Sequence, residues 1–136
     1  MNQAVEVSVV TPSRNMLPYL KRAAASVADQ QGVRAEHLVI DALSDDGTPE
    51  WLAGQPGIRA VSEADRGMYD AVNKGLKLAR GPILSYLNCD EQYLPGTLKK
   101  VADYFAQHPE ADIVLGDCLV VDGNGNMLSI ADRGVG

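Results

Sequence analysis

The stretch VEVSVVT, Val5 to Thr11, decides the fold. It is β-branched and almost continuously apolar, the pattern of a strand buried on both faces, as parallel sheets require. PSRN comes next, and then a helical pattern in which Leu17, Leu20, Ala24 and Val27 fall three or four apart on one face. Ser13 or Asn15 stands where a capping side chain is needed, and Pro18 is tolerated in a first turn.

Outward from that unit, strands and helices alternate. HLVID, His37 to Asp41, reads as a second strand, and the loop ALSDDG leads to Thr48-Pro49-Glu50, a helix start that Gly54 ends quickly. Ile58 to Val61 reads as a third strand. The loop Glu63 to Gly67 opens a helix over Met68 to Leu78 with Met68, Val72, Leu76 and Ala79 as its buried stripe, and Gly81 suits its C-terminal cap. A fourth strand covers Ile83 to Leu87. A fourth helix runs from about Gly96 to Gln107 with Leu98, Val101 and Phe105 inward. A fifth strand is expected at Ile113 to Leu115, running on toward Val121, with a tight turn at Asp122 to Gly125 into a returning strand. Repeated strand–helix alternation predicts an α/β, Rossmann-like three-layer α/β/α sandwich around a mostly parallel sheet.

With 136 residues the chain is expected to be one domain, and 46% hydrophobic with 22% charged residues is an ordinary globular composition. A formal charge of −6 argues against nucleic acid as a partner, because a phosphate backbone demands a basic face. Cys89 and Cys118 are too few and too far apart for a Cys-pair zinc site. Neither a secretory signal nor a run of about 20 apolar residues is visible, so the expected setting is cytoplasmic. The inner face of a membrane stays open, through peripheral association by segments outside this stretch.

In an open α/β sheet, ligands bind beyond the carboxyl ends of the strands. The residues at and just past the strand ends here are Thr11, Pro12 and Asn15; Asp41, Asp45 and Asp46; Asp65 and Arg66; Asn88, Asp90 and Glu91; and Asp117. One sheet edge should therefore carry a concentration of carboxylates while the strands stay apolar. Such crowding is unfavourable without a counter-charge, and a hard divalent cation, Mg²⁺ or Mn²⁺, supplies one through oxygen ligands. Arg14, Arg66 and Lys74 are cations placed to neutralise phosphates. Taken singly, each acid also reads as a loop residue: Asp45 and Asp46 can simply shape the turn before Thr48, and Asp112 and Asp122 read as turn residues.

Five collinear blocks carry a resemblance: VSVVTPSRN, VIDALSDDGT, EADRGMYDAVNKG, ARGPILSYLNCDE and DIVLGD. From Val5 to Asp117 the chain resembles the N-terminal, donor-binding half of the family-2 glycosyltransferases, which have the A-type nucleotide-diphospho-sugar transferase fold. The resemblance implies that Thr11 and Pro12 line a nucleotide pocket with Asn15 nearby. Asp41 would accept a hydrogen bond from the base, which suits uracil and favours a UDP-sugar, and Asp46 would lie in the nucleotide-side loop. Asp65, Arg66 and Gly67 would sit near the diphosphate or sugar, with Asp70, Asn73 and Lys74 on the helix behind. Asp90 would be the metal ligand of a D-x-D-type motif, Glu91 beside it, with Asn88 in the position of the motif's first acid. Asp117 would line the sugar or acceptor rim.

Other residues read more plainly. Asn73 and Lys74 equally suit helix capping and loop anchoring, Gly75 and Gly81 suit packing and capping, Tyr69 and Tyr86 suit core or rim positions, and Cys89 is a small inert residue. Asn88 and Cys89 depart from the family pattern and reduce the charge available to a metal. Ala42 and Leu43 replace the small or polar residues common before the serine of the second block. The resemblance implies an inverting, metal-assisted transfer of a sugar to a hydroxyl of a saccharide or lipid-linked acceptor, in cell-surface polysaccharide assembly. Its general base is expected beyond the chain end, on an acceptor part that this stretch lacks. Two alternatives stand: a catalytically inactive nucleotide-sugar binding module, and a sugar-phosphate nucleotidyltransferase, which the absence of a glycine-rich loop after the first strand disfavours.

Overall fold

A computed structural model describes residues 4–131. It divides into two units, Met1–Tyr104 and Phe105–Gly136. The first is built on a parallel four-stranded sheet in the order β3-β2-β1-β4, with β1 Val7–Ser13, β2 Ala35–Asp41, β3 Ile58–Ser62 and β4 Ile83–Tyr86. The helices are α1 Leu17–Ala28, α2 Thr48–Ala53, α3 Met68–Leu78 and α4 Thr97–Gln107, the last beginning in the first unit.

Side chains alternate across β1 and β2, and each face finds a different partner. Val10, Leu38 and Ile40 pack with Ala71 of α3 on one face. On the other, Val7 and Val9 pack with Ala23 and Val27 of α1 and Leu98 of α4, and Val39 packs with Leu20, Leu52 and Cys89. Helices on both faces of a parallel sheet make the expected three layers. β1 is buried along its whole length, as its apolar run requires.

Several expectations need correction. β1 extends two residues past Thr11, because Pro12 and Ser13 continue the register opposite Ile40 and Asp41. Neither Ser13 nor Asn15 caps α1; the cap position is Met16 without a side-chain bond, and the Leu17 amide donates instead to Asp46 Oδ2 at 3.0 Å. The buried stripe of α3 centres on Ala71 and Gly75 rather than on Met68 and Val72. A Cβ on Gly75 would stand 2.3 Å from Val10 Cγ1, so the missing side chain lets α3 lie directly on β1. Gly81 is not the cap of α3, whose C-cap position is Ala79; a Cβ on Gly81 would meet Ser8 Oγ at 3.0 Å.

The second unit carries the clearest departure. Residues 113–115 form no strand, and Ile113 and Leu115 are exposed. A three-residue apolar run marks a strand only where a neighbour completes its ladder. The strands are β5 Cys118–Val121 and β6 Met127–Ala131, an antiparallel hairpin with an irregularity between Val120 and Val121. Its turn is the expected one: Asp122 Oδ1 accepts the Asn124 and Asn126 amides, each at 2.9 Å, and Gly125 takes φ 87°.

Candidate functional site

The carboxyl ends of β1 and β2 release two loops that are zipped together. The Ala42 amide donates to the Ser13 carbonyl at 2.9 Å, and the Asn15 amide to Ser44 Oγ at 2.8 Å. The Asp45 amide donates to Asn15 Oδ1 at 2.8 Å, and Asp46 joins both helix starts: Oδ2 accepts from Leu17, Oδ1 from the Thr48 hydroxyl at 2.6 Å. Those bonds, the Thr48 hydroxyl first, hold the Asp46 carboxyl below the usual carboxylate range. Asn15 and Leu43 both adopt left-handed backbone, φ 53° and 54°. Asparagine tolerates that conformation; a bulky leucine rarely does.

Asp41 organises this platform from within. It is wholly buried, and its carboxylate accepts the Ser44 amide at 2.9 Å, the Ser44 hydroxyl at 2.5 Å and the Ser62 hydroxyl at 2.9 Å. A buried carboxylate needs such donors, since an unpaired charge is costly. Thr11 and Pro12, expected at the pocket wall, are buried within β1. Thr11 Oγ1 lies 2.8 Å from His37 Nε2, and burial pushes the His37 pKa down to about 4. Ser13 Oγ, at the strand's outer end, is buried without a hydrogen-bond partner among the described residues.

The side of α3 is tied differently. Asp65 Oδ1 accepts the Gly67 amide at 2.9 Å, and Asp70 Oδ2 the Arg66 amide at 2.9 Å. That amide, aided by the Lys74 charge, holds the Asp70 carboxyl low. Lys74 serves as an anchor: its Nζ donates to the Ala64 carbonyl at 2.9 Å and pairs with Glu63 at 3.2 Å and Asp70 at 3.6 Å. The Arg66 guanidinium is exposed, and no hydrogen bond holds it within the chain among the described residues. Tyr69 is 78% exposed and Tyr86 is exposed as well, so both are rim residues rather than core.

Beyond β4, the Asn88 amide donates to Glu91 Oε1 at 2.9 Å, and the Tyr86 hydroxyl donates to Asn88 Oδ1. Asp90 differs from its neighbours. It is exposed, and its carboxylate makes no hydrogen bond within the chain among the described residues. Cys89 beside it is buried, and burial first, then the charges of Asp90 and Asp41, push its thiol pKa up. The thiol is a packing group, set against Leu20, Val39 and Leu52. Asp41 ends β2 and Asp90 follows β4 at the same edge of the parallel sheet, Asp41 buried and Asp90 exposed. Asp117 belongs to the second unit.

Among the described residues no three His, Cys, Asp or Glu side chains gather as a metal cage. Mg²⁺ does not need one, since it takes one or two carboxylates and fills its shell with phosphate oxygens and water. Asp90, with no internal partner, fits that demand; Glu91 is partly committed to the Asn88 amide. Sequence reasoning missed Ser44 and Ser62. Ser44 stands three residues after Asp41, the spacing of a side chain that returns to a carboxylate within one turn, whereas Ser62 arrives from another strand and left no local signal.

A glycosyltransferase for PGL/p-HBAD biosynthesis from Mycobacterium bovis (strain BCG / Pasteur 1173P2) is 32% identical over 123 residues, covering 86% of this chain and 48% of the relative. An uncharacterized glycosyltransferase of Mycobacterium tuberculosis is 41% identical over 96 residues, 68% of this chain and 37% of its own length. The chain thus spans at most about half the length of these curated relatives. Among solved structures, Staphylococcus aureus TarS 1–349 in complex with UDP-GlcNAc superposes with a TM-score of 0.69 at 23% identity, over 77% of this chain and 32% of that one. The Pyrobaculum calidifontis mannosyltransferase PcManGT, in complex with GDP-Man and Mn²⁺, gives 0.64 at 24% identity, over 89% of this chain and 37% of that one. At these identities the two structures show a shared fold. The sequence profile described as Glycosyl transferase family 2 matches residues 8–132, nearly the whole chain, and the chain belongs to that family.

Proposed function

We propose that this chain is the donor-binding part of an inverting, metal-assisted glycosyltransferase that moves a sugar from a nucleotide-diphospho-sugar, with UDP favoured, to a hydroxyl of a saccharide or lipid-linked acceptor. The observation that carries the reading is Asp90: an exposed carboxylate with no internal hydrogen bond, on a turn beyond β4 that Tyr86, Asn88 and Glu91 hold in shape. The named ligands of the two structural neighbours, UDP-GlcNAc and GDP-Man with Mn²⁺, support it.

In this reading the β1–β2 platform receives the nucleoside. Ser62 is exposed, so its hydrogen bond to Asp41 is the one that a base N–H can replace. Thr11 and Pro12 form the floor, while Asn15 and Asp46 hold the nucleotide-side loop. Arg14 and Arg66 supply positive charge toward the diphosphate, Asp65, Gly67, Asp70 and Lys74 shape the loop beside it, and Asn88 lies on the sugar side. A divalent cation, Mg²⁺ or Mn²⁺, held by Asp90 with Glu91, would neutralise charge on the departing diphosphate. The acceptor hydroxyl needs a general base for attack at the anomeric carbon; we assign no residue of this stretch to it and place it on an acceptor part of a longer protein. By analogy the reaction belongs to cell-surface polysaccharide assembly at the cytoplasmic face of a membrane; no helix among the described residues is long and apolar enough to cross one.

One observation favours a second reading, a donor-binding module without transfer: Asn88 replaces a carboxylate and its amide oxygen is already taken by Tyr86. Thermal denaturation with UDP, GDP and dTDP, with and without Mn²⁺, tests donor binding, because a ligand of the native state raises its stability. A metal-dependent rise for one nucleotide is expected. Folded protein that responds to none of the three contradicts both readings, and hydrolysis of the matching nucleotide-sugar separates them.

A further inference from the structure

Leu43 is the residue whose conformation the fold itself does not explain. It takes φ 54°, a left-handed backbone that costs an L-residue free energy and that glycine adopts freely. Asn15, the other such residue, is repaid locally, since its Oδ1 accepts the Asp45 amide. Leu43 has no comparable return: the residue is 60% exposed and belongs to none of the core clusters. The conformation is nonetheless enforced. Asp41 on one side grips both the amide and the hydroxyl of Ser44 on the other, so the intervening residues are locked in place. A strained, immobilised apolar side chain turned to solvent at a ligand edge is the kind of outlier from which a functional contact is inferred.

What such a side chain can recognise is limited. A leucine offers nothing to a diphosphate or to sugar hydroxyls; it prefers a flat apolar surface. In a nucleotide-diphospho-sugar that surface is the face of the base. The position agrees: Leu43 follows β2, whereas Asp90 follows β4, and β1 lies between them, so the two loops stand about 10 Å apart at ordinary strand spacing. We infer that Leu43 is a specificity-determining residue that packs on the nucleobase face of the donor. This rests on the donor-site reading above and adds to it the residue that grips the base.

The test is titration calorimetry in Mn²⁺ on the full chain, with two probes: whichever of UDP, GDP and dTDP the wild type binds most tightly, and inorganic pyrophosphate. Leu43→Gly relieves the strained backbone, so its Tm should not fall. Its nucleotide affinity should drop about five-fold, what covering part of a leucine side chain supplies, with pyrophosphate affinity unchanged. Leu43→Ala should show the same loss, and Leu43→Met should recover wild-type affinity within about two-fold. Unchanged nucleotide affinity in Leu43→Gly overturns the inference. An equal loss for both probes also overturns it, because the residue then acts only through loop shape. If the wild type binds neither probe, the donor-site reading fails first and takes the inference with it.

Discussion

The loops beyond β1 and β2 and the turn beyond β4 occupy the same edge of one sheet, yet they are built in opposite ways. The first pair is heavily tied: Asp41, Ser44, Asn15 and Asp46 all take part in side-chain hydrogen bonds, and of its acids only the exposed Asp45 carboxylate stays outside that network among the described residues. The turn beyond β4 is tied by Glu91 and Tyr86 but leaves Asp90 in solvent. A preformed surface costs little ordering entropy when a ligand binds, and an uncommitted carboxylate keeps its charge for a cation. The difference teaches that acids crowded on one edge divide their labour, some shaping the scaffold and others left facing solvent.

Removing the centre of the heavily tied side should have the largest effect. Asp41→Ala leaves the Ser44 amide and hydroxyl without their buried acceptor, so unfolding in urea should show a loss of about 3 kcal/mol or more. A loss confined to nucleotide affinity, with stability intact, would break the contrast. Next comes pH. His37, beneath the platform, is held neutral, and its folded-state pKa of about 4 lies below the ordinary 6.5. The stabilisation is therefore complete above pH 6.5 and is lost as pH falls toward 4, by about 3 kcal/mol. His37→Gln should flatten that part of the stability profile, measured by denaturant titration across the range. Smaller again is Gly75→Ala, where the new Cβ crowds Val10: about 2 kcal/mol of destabilisation is expected, with partial rescue by Val10→Ala. Removing the two-helix cap with Asp46→Asn should lower Tm by a few degrees only.

Much of this was legible in the sequence because it is written in local periodicity. Met68–Leu78 forms a helix with the expected bounds, and the apolar run expected at Val5 to Thr11 supplies, from Val7 on, most of the buried strand Val7–Ser13. The rotated stripe of α3 escaped because Gly75 is buried for its smallness, which an apolar count ignores. The segment at residues 113–115 escaped because strand formation depends on a ladder partner that sequence spacing does not reveal. At the site, the acids and their common edge were readable, but their division of roles was not. The bond from Ser62 reaches Asp41 across 21 residues, and the one from Leu17 reaches Asp46 across 29; only the folded register brings those donors to the carboxylates.

The central claim, that a cation at Asp90 couples a nucleoside diphosphate to this edge, is most directly tested by calorimetric affinities for the preferred nucleotide with and without Mn²⁺, in wild type and Asp90→Ala. Wild type should bind at least about ten-fold more tightly with Mn²⁺, a difference of about 1.4 kcal/mol, and Asp90→Ala should lose that gain while keeping its Tm. Equal affinity with and without the metal, or an undiminished metal effect in Asp90→Ala, would contradict the account.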